Sequence, residues 1–131
     1  MKIALPITGN SLIFLVTLAL VSGCAGLLSG AGSVIAHLQV ELFRAVQAND
    51  LAEARRINDR IYPLARVFYA DPFIDMHNRM KEALVLLGKL PRAVVRPPLV
   101  KITAAEIAEI SRALLEAGML ETAPARGRDA A

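Results

Sequence analysis

Few side chains in this 131-residue sequence have the type and spacing that catalysis requires. Its single cysteine, Cys24, has no second cysteine with which to form an internal disulfide. The two histidines, His37 and His77, stand alone on the faces of predicted helices, where a solvated or locally hydrogen-bonded ring is the usual outcome. The polar stretch 71–77 mixes loop and helix without the spacing of metal ligands. The sequence therefore predicts neither a metal site nor a cofactor.

Cys24 has a second interpretation, because Val21-Ser22-Gly23-Cys24 follows an apolar run and is typical of a bacterial lipoprotein signal. In such a signal the cysteine receives lipid, and a basic residue, here Lys2, precedes the apolar middle. Pro6 and the polar residues 8–11 separate Lys2 from that middle, which argues against this interpretation. A small helical lipoprotein anchored through Cys24 stays open as an alternative.

Charge is distributed unevenly along the chain. Lys2 is the only formally charged residue before Glu41, while 55% of all residues are hydrophobic and the net charge is +3. The first third is therefore expected to be buried on most sides or inserted in a membrane, and the rest to be ordinary amphipathic protein. Beyond Glu41, basic and acidic residues are interleaved as on solvated helix faces, which argues against a nucleic-acid surface.

A strand, a helix and a second strand are predicted at the start of the chain. Ile3 to Thr8 and Cys24 to Ser29 are short apolar runs, as expected of parallel strands that are covered on both faces. Between them, Leu12 to Val21 is apolar all round and predicts a helix that ends at Gly23. These three elements would form a βαβ unit.

Amphipathic helices are predicted over the remainder. Ser33 is a candidate N-cap for the first of these helices. Asp50 and Glu53 have the spacing of a capping box at the start of the second helix, and Pro63 predicts a kink within it. A third helix is predicted around Asp75 to Leu87, followed by Gly88 and an extended connection over 89–101. A second capping box, Thr103 with Glu106, begins a fourth helix that ends at Gly118. The apolar stripes of these helices are Ile35, Leu38, Leu42 and Val46, then Ala54, Ile57, Ile61, Leu64 and Phe68, and last Ile107, Ile110 and Leu114.

Short motifs in a defined order carry a resemblance to a known family. Gly9 follows the first predicted strand, and residues 23–30 read Gly-Cys-Ala-Gly-Leu-Leu-Ser-Gly, with Cys24 where the family usually has alanine. Further motifs are Glu41-Leu42, Asn49 to Ala54, Pro63-Leu64, Met80 to Leu84, Gly88, Arg96 to Leu99 and Ala117-Gly118. In order and spacing they resemble the C-terminal part of the dihydrodipicolinate synthase and N-acetylneuraminate lyase family, over residues 3–120.

The resemblance implies an α/β fold: the last two strands of a (β/α)8 TIM barrel and then a C-terminal helical extension, so that this chain is predominantly helical. Residues 1–47 would form the last two βα units, 48–120 the helical region and 121–131 a disordered tail. The resemblance also implies a cytoplasmic protein with no membrane or nucleic-acid partner. A non-catalytic interaction module built from the C-terminal helices is a further alternative.

The family's members are pyruvate-dependent lyases and aldolases that form a Schiff base on a lysine. Their imine lysine, proton-relay tyrosine and carboxylate-binding stretch belong to earlier strands than those matched here. None of the lysines present, Lys2, Lys81, Lys89 and Lys101, falls in the place of the imine lysine. No catalytic residue is therefore assigned, and the isolated chain is expected to be inactive. Pyruvate or a related 2-oxo acid would bind only in a complete barrel. The expected protein partners are further copies of the chain in a homo-oligomer or the missing barrel segments.

Leu28 and Ser29 are the substrate-binding residues that the resemblance assigns, because they fall where the family's eighth strand faces bound pyruvate. Ser29 could donate a hydrogen bond to a carboxylate, and Leu28 could shield the imine from water; equally, both could simply fill the barrel. Ser33 stands where the family commonly has asparagine. Gly9-Asn10-Ser11 lacks the carboxylates with which sialic-acid-cleaving members contact a polyol, which argues against that substrate.

Overall fold

The computed structural model describes residues 17–121, and its regular structure is helical. Residues 17–21 are helical, and longer helices follow: α1 (Gly32–Gln47), α2 (Leu51–Phe68), α3 (Met76–Leu86) and α4 (Ala104–Glu116), with a 3-10 turn, Phe73–Asp75, before α3. The first predicted strand and most of the predicted disordered tail lie outside these residues. Of the predicted helix Leu12 to Val21, the described part is helical, and Gly23 follows it with a φ of 98°.

Helix α1 begins two residues earlier than the sequence predicts. Its N-cap position is the buried Ala31, so the prediction that Ser33 caps the helix is wrong. The Ser33 hydroxyl instead donates to the Gly30 carbonyl oxygen at 3.1 Å, inside the first turn. The predicted stripe is confirmed, since Ile35, Leu38 and Leu42 are buried and Val46 packs against the core.

Helix α2 begins at the predicted cap but not through a complete capping box. The Asp50 carboxylate accepts a hydrogen bond from the Glu53 amide at 2.9 Å, as predicted. The reciprocal bond is not formed, because the Asp50 amide already donates to the Ala45 carbonyl oxygen at the end of α1. The Glu53 carboxylate pairs with Arg56 instead.

The apolar stripe of α2 is buried along its whole length, as the sequence predicts; its members are Ala54, Ile57, Ile61, Leu64 and Phe68. The helix runs as one element through Pro63, although proline removes the backbone donor of one helical hydrogen bond. Buried residues on both sides of it, Ile61, Leu64 and Ala65, hold this part of the helix against the core.

Helices α3 and α4 have the predicted ends. Gly88, just beyond α3, and Gly118, just beyond α4, have φ of 68° and 67°, a left-handed conformation that is strained for any residue with a Cβ. At the start of α4 the Thr103 hydroxyl accepts from the Glu106 amide, and the Glu106 carboxylate accepts from the Thr103 amide, so the capping box is complete. Two of the three predicted stripe residues of α4, Ile110 and Leu114, are fully buried.

The four helices share one apolar core. Helix α2 contacts α1, α3 and α4, and α3 also contacts α1 and α4. Leu20, from the helical residues 17–21, is 2% exposed and belongs to the same core. The helical region predicted from residue 48 onward therefore packs on elements that the sequence assigns to the barrel.

The predicted strand Cys24 to Ser29 is not formed: this segment is extended without strand pairing, and no strand occurs within residues 17–121. A strand takes its hydrogen bonds from a neighbouring strand, so an extended apolar run cannot become one by itself. Leu28 shows the consequence most clearly, since this residue is fully exposed to solvent.

Candidate functional site

The two residues predicted to bind substrate lie on the extended segment between residue 21 and α1. Leu28 points into solvent, and Ser29 is half-buried with its carbonyl oxygen accepting from the Gly32 amide at 3.1 Å. Neither residue lines the groove or the cleft described below. Their role in binding a 2-oxo acid stays a prediction.

An apolar groove of about 320 Å³ lies next to this segment. Ala25, Gly26 and Leu27 form one wall, and α1 forms the other with Ala36, Gln39, Val40 and Phe43. The Gln39 amide is the only polar side-chain group in this lining, so the groove offers packing surface and no acid, base or nucleophile.

The lysines of the described residues serve as surface or anchoring groups. Lys81, on α3, is half-buried and donates through Nζ to the Val94 carbonyl oxygen at 2.6 Å. Lys89 and Lys101 are exposed. An imine-forming lysine is typically buried or placed beside another cation, whereas Lys89 and Lys101 are exposed and Lys81 is bonded to the backbone. Lys2 lies outside the described residues.

Asn78 and Lys81 together fasten the long connection between α3 and α4. The Asn78 side-chain amide donates to the Val100 carbonyl oxygen at 2.7 Å, near the end of the connection, while Lys81 holds it at Val94. Asn78 is 1% exposed, so its amide would be costly to bury without this acceptor. Both side chains therefore position the backbone and do no chemistry of their own.

Cys24 and both histidines are exposed in the structure. The Cys24 thiol is free, and its backbone amide donates to the Ala19 carbonyl oxygen at 3.0 Å at the end of the preceding helix. Among residues 17–121 no three His, Cys, Asp or Glu side chains are placed to hold a metal ion. In the same range no helix is long and apolar enough to cross a membrane.

The most highly organised polar group is one that the sequence pattern did not indicate. Arg79, on α3, has a side chain only 2% exposed, and its guanidinium donates to three successive carbonyl oxygens beyond α2. The distances are 2.6 Å to Ala70, 3.2 Å to Asp71 and 3.3 Å to Pro72. A fourth contact, at 3.4 Å, reaches the Glu106 carboxylate. Arg79 thus joins the end of α2, the body of α3 and the start of α4.

Glu106 connects this arginine to the capping box of α4. Hydrogen bonds from the Thr103 backbone amide, the Thr103 hydroxyl and Arg79 hold the pKa of Glu106 below its usual range. Its side chain remains 31% exposed and lines a cleft of about 370 Å³ between α2 and α4. Arg79 also lines this cleft, but its guanidinium is engaged by three backbone carbonyl oxygens and the Glu106 carboxylate, so the pair has a structural role.

Comparison with known proteins identifies the class to which this helical arrangement belongs. The family model described as the dihydrodipicolinate synthetase family matches residues 9–117, which include all four helices and the extended segment before them. The chain belongs to this family, whose fold is the (β/α)8 barrel, and the predicted resemblance is confirmed.

Individual relatives are enzymes called 4-hydroxy-tetrahydrodipicolinate synthase. The chain is 32% identical over 98 residues to that of Brucella suis, a match that covers 75% of this chain and 32% of the relative. It is 37% identical over 101 residues to that of Bartonella bacilliformis, covering 76% and 32%, and 34% identical over 100 residues to that of Kineococcus radiotolerans, also covering 76% and 32%. The chain thus spans about a third of the length of these relatives.

Proposed function

We propose that this chain is the C-terminal portion of a pyruvate-dependent, Schiff-base-forming lyase or aldolase barrel and that it is inactive without the remaining barrel segments. The observation that carries the proposal is the family match over residues 9–117, together with relatives of which it spans about a third. In this role the chain contributes the last barrel elements and the helical extension, in the cytoplasm. The match does not support the lipoprotein alternative.

The placement of the lysines supports inactivity of the isolated chain. Lys81 already uses Nζ to hold the backbone at Val94, and Lys89 and Lys101 are exposed on the surface. The carbonyl group of pyruvate would also need a pocket that excludes water, and Leu28 is fully solvated here. We propose that Leu28 and Ser29 reach a bound 2-oxo acid only when neighbouring strands cover this segment, whether in a completed barrel or in an oligomer.

Trapping with borohydride tests the proposal directly. Reduction of an imine between a lysine and pyruvate leaves a stable adduct, so the intact mass of the purified chain should be unchanged after pyruvate and borohydride. A stoichiometric adduct on any lysine of the chain would overturn the inactivity. The same spectrum examines Cys24, whose thiol should be unmodified after expression in a bacterium; a lipid-modified Cys24 at a new N-terminus would favour the lipoprotein.

Complementation tests the positive half of the proposal. The chain should be co-expressed with the preceding two thirds of the Bartonella bacilliformis relative, which shares 37% identity with it. A stable complex whose partner chain gains the pyruvate adduct is expected. Leu28→Asp should weaken that complex, because the charge would enter the strand interface. Val100→Asp, at an exposed position in the connection between α3 and α4, is the matched control. Failure of the wild-type chain to bind or activate the partner would contradict its role as a barrel portion.

A further inference from the structure

We draw no further inference here: the strongest candidate, the cleft between α2 and α4 lined by Arg66, Glu109, Arg112 and Glu116, has side chains of mixed sign on solvated helix faces, and nothing in the described part of the structure indicates which ligand would occupy it.

Discussion

Replacement of Arg79 by methionine should destabilise the fold, because this buried side chain joins three helices. Methionine fills the space of the arginine stem, so the change removes the guanidinium without opening a large cavity. Breaking a buried ion pair costs about 3–5 kcal/mol when the remaining charge stays buried. Here the Glu106 side chain is 31% exposed and Ala70 and Asp71 lie at the surface, so the groups left behind regain water. We therefore expect a loss below that range, about 2–3 kcal/mol in the free energy of unfolding.

Urea unfolding followed by circular dichroism measures this loss on the full chain. Arg79→Lys should fall between wild type and Arg79→Met, because an ammonium is a compact charge that cannot reach carbonyls in several directions as a guanidinium does. Arg112→Met is the matched control: this arginine lies on the same cleft but is exposed, and its loss should change stability by no more than about 0.5 kcal/mol. If Arg79→Met unfolds at the wild-type urea concentration, the guanidinium does not hold the helices together.

Three further changes probe local features of the helices. Because the pKa of Glu106 is lowered in the folded state, its contribution to the free energy of unfolding is complete above the ordinary glutamate pKa of 4.5 and is lost as the pH falls through the lower folded-state value. Glu106→Gln should therefore flatten the acid dependence of urea unfolding. The exposed control Glu109→Gln should leave that dependence intact. Asp50→Ala removes the N-cap of α2 and should lower the free energy of unfolding by about 1 kcal/mol. The control Asp59→Ala, at an exposed position of the same helix, should lower it by no more than about 0.5 kcal/mol, and equal losses would show that the cap is unimportant. Glu82→Met should raise the free energy of unfolding by about 1 kcal/mol, because Oε1 of this buried side chain has no hydrogen-bond partner within residues 17–121. A loss of stability would mean that Glu82 is paired in solution.

The accuracy of the sequence predictions follows the range of the interactions involved. The Thr103–Glu106 capping box and the stop at Gly88 depend on residues within one turn, and both are confirmed. The error at Ser33 has a cause outside the first turn, because Ala31 is buried against the core shared by the helices and this favours the earlier start. The Asp50 cap was predictable, but the loss of its reciprocal bond depends on the end of the preceding helix.

Arg79 lay beyond sequence reasoning for a physical reason. Its acceptors Ala70, Asp71 and Pro72 contribute backbone oxygens, which are present at every position and leave no mark in the residue types. Its ionic partner, Glu106, lies 27 residues further along the chain. Helix α3 also carries Lys81 and Glu82, so the residue type of Arg79 does not distinguish it, and a solvated arginine with a buried stem produces the same pattern.

The predicted strand and the predicted helices differ in where their backbone hydrogen bonds come from. Helices α1 to α4 satisfy most of their backbone donors and acceptors internally and bury their stripes against one another, so their hydrogen bonds do not require a neighbouring strand. A strand would need neighbouring strands for both hydrogen bonds and cover, and the segment 24–29 is unpaired and largely exposed in the structure. Its apolar residues, so costly to leave in water, are those that a surrounding barrel would bury. The proposed function would supply the neighbouring strands that could cover this segment.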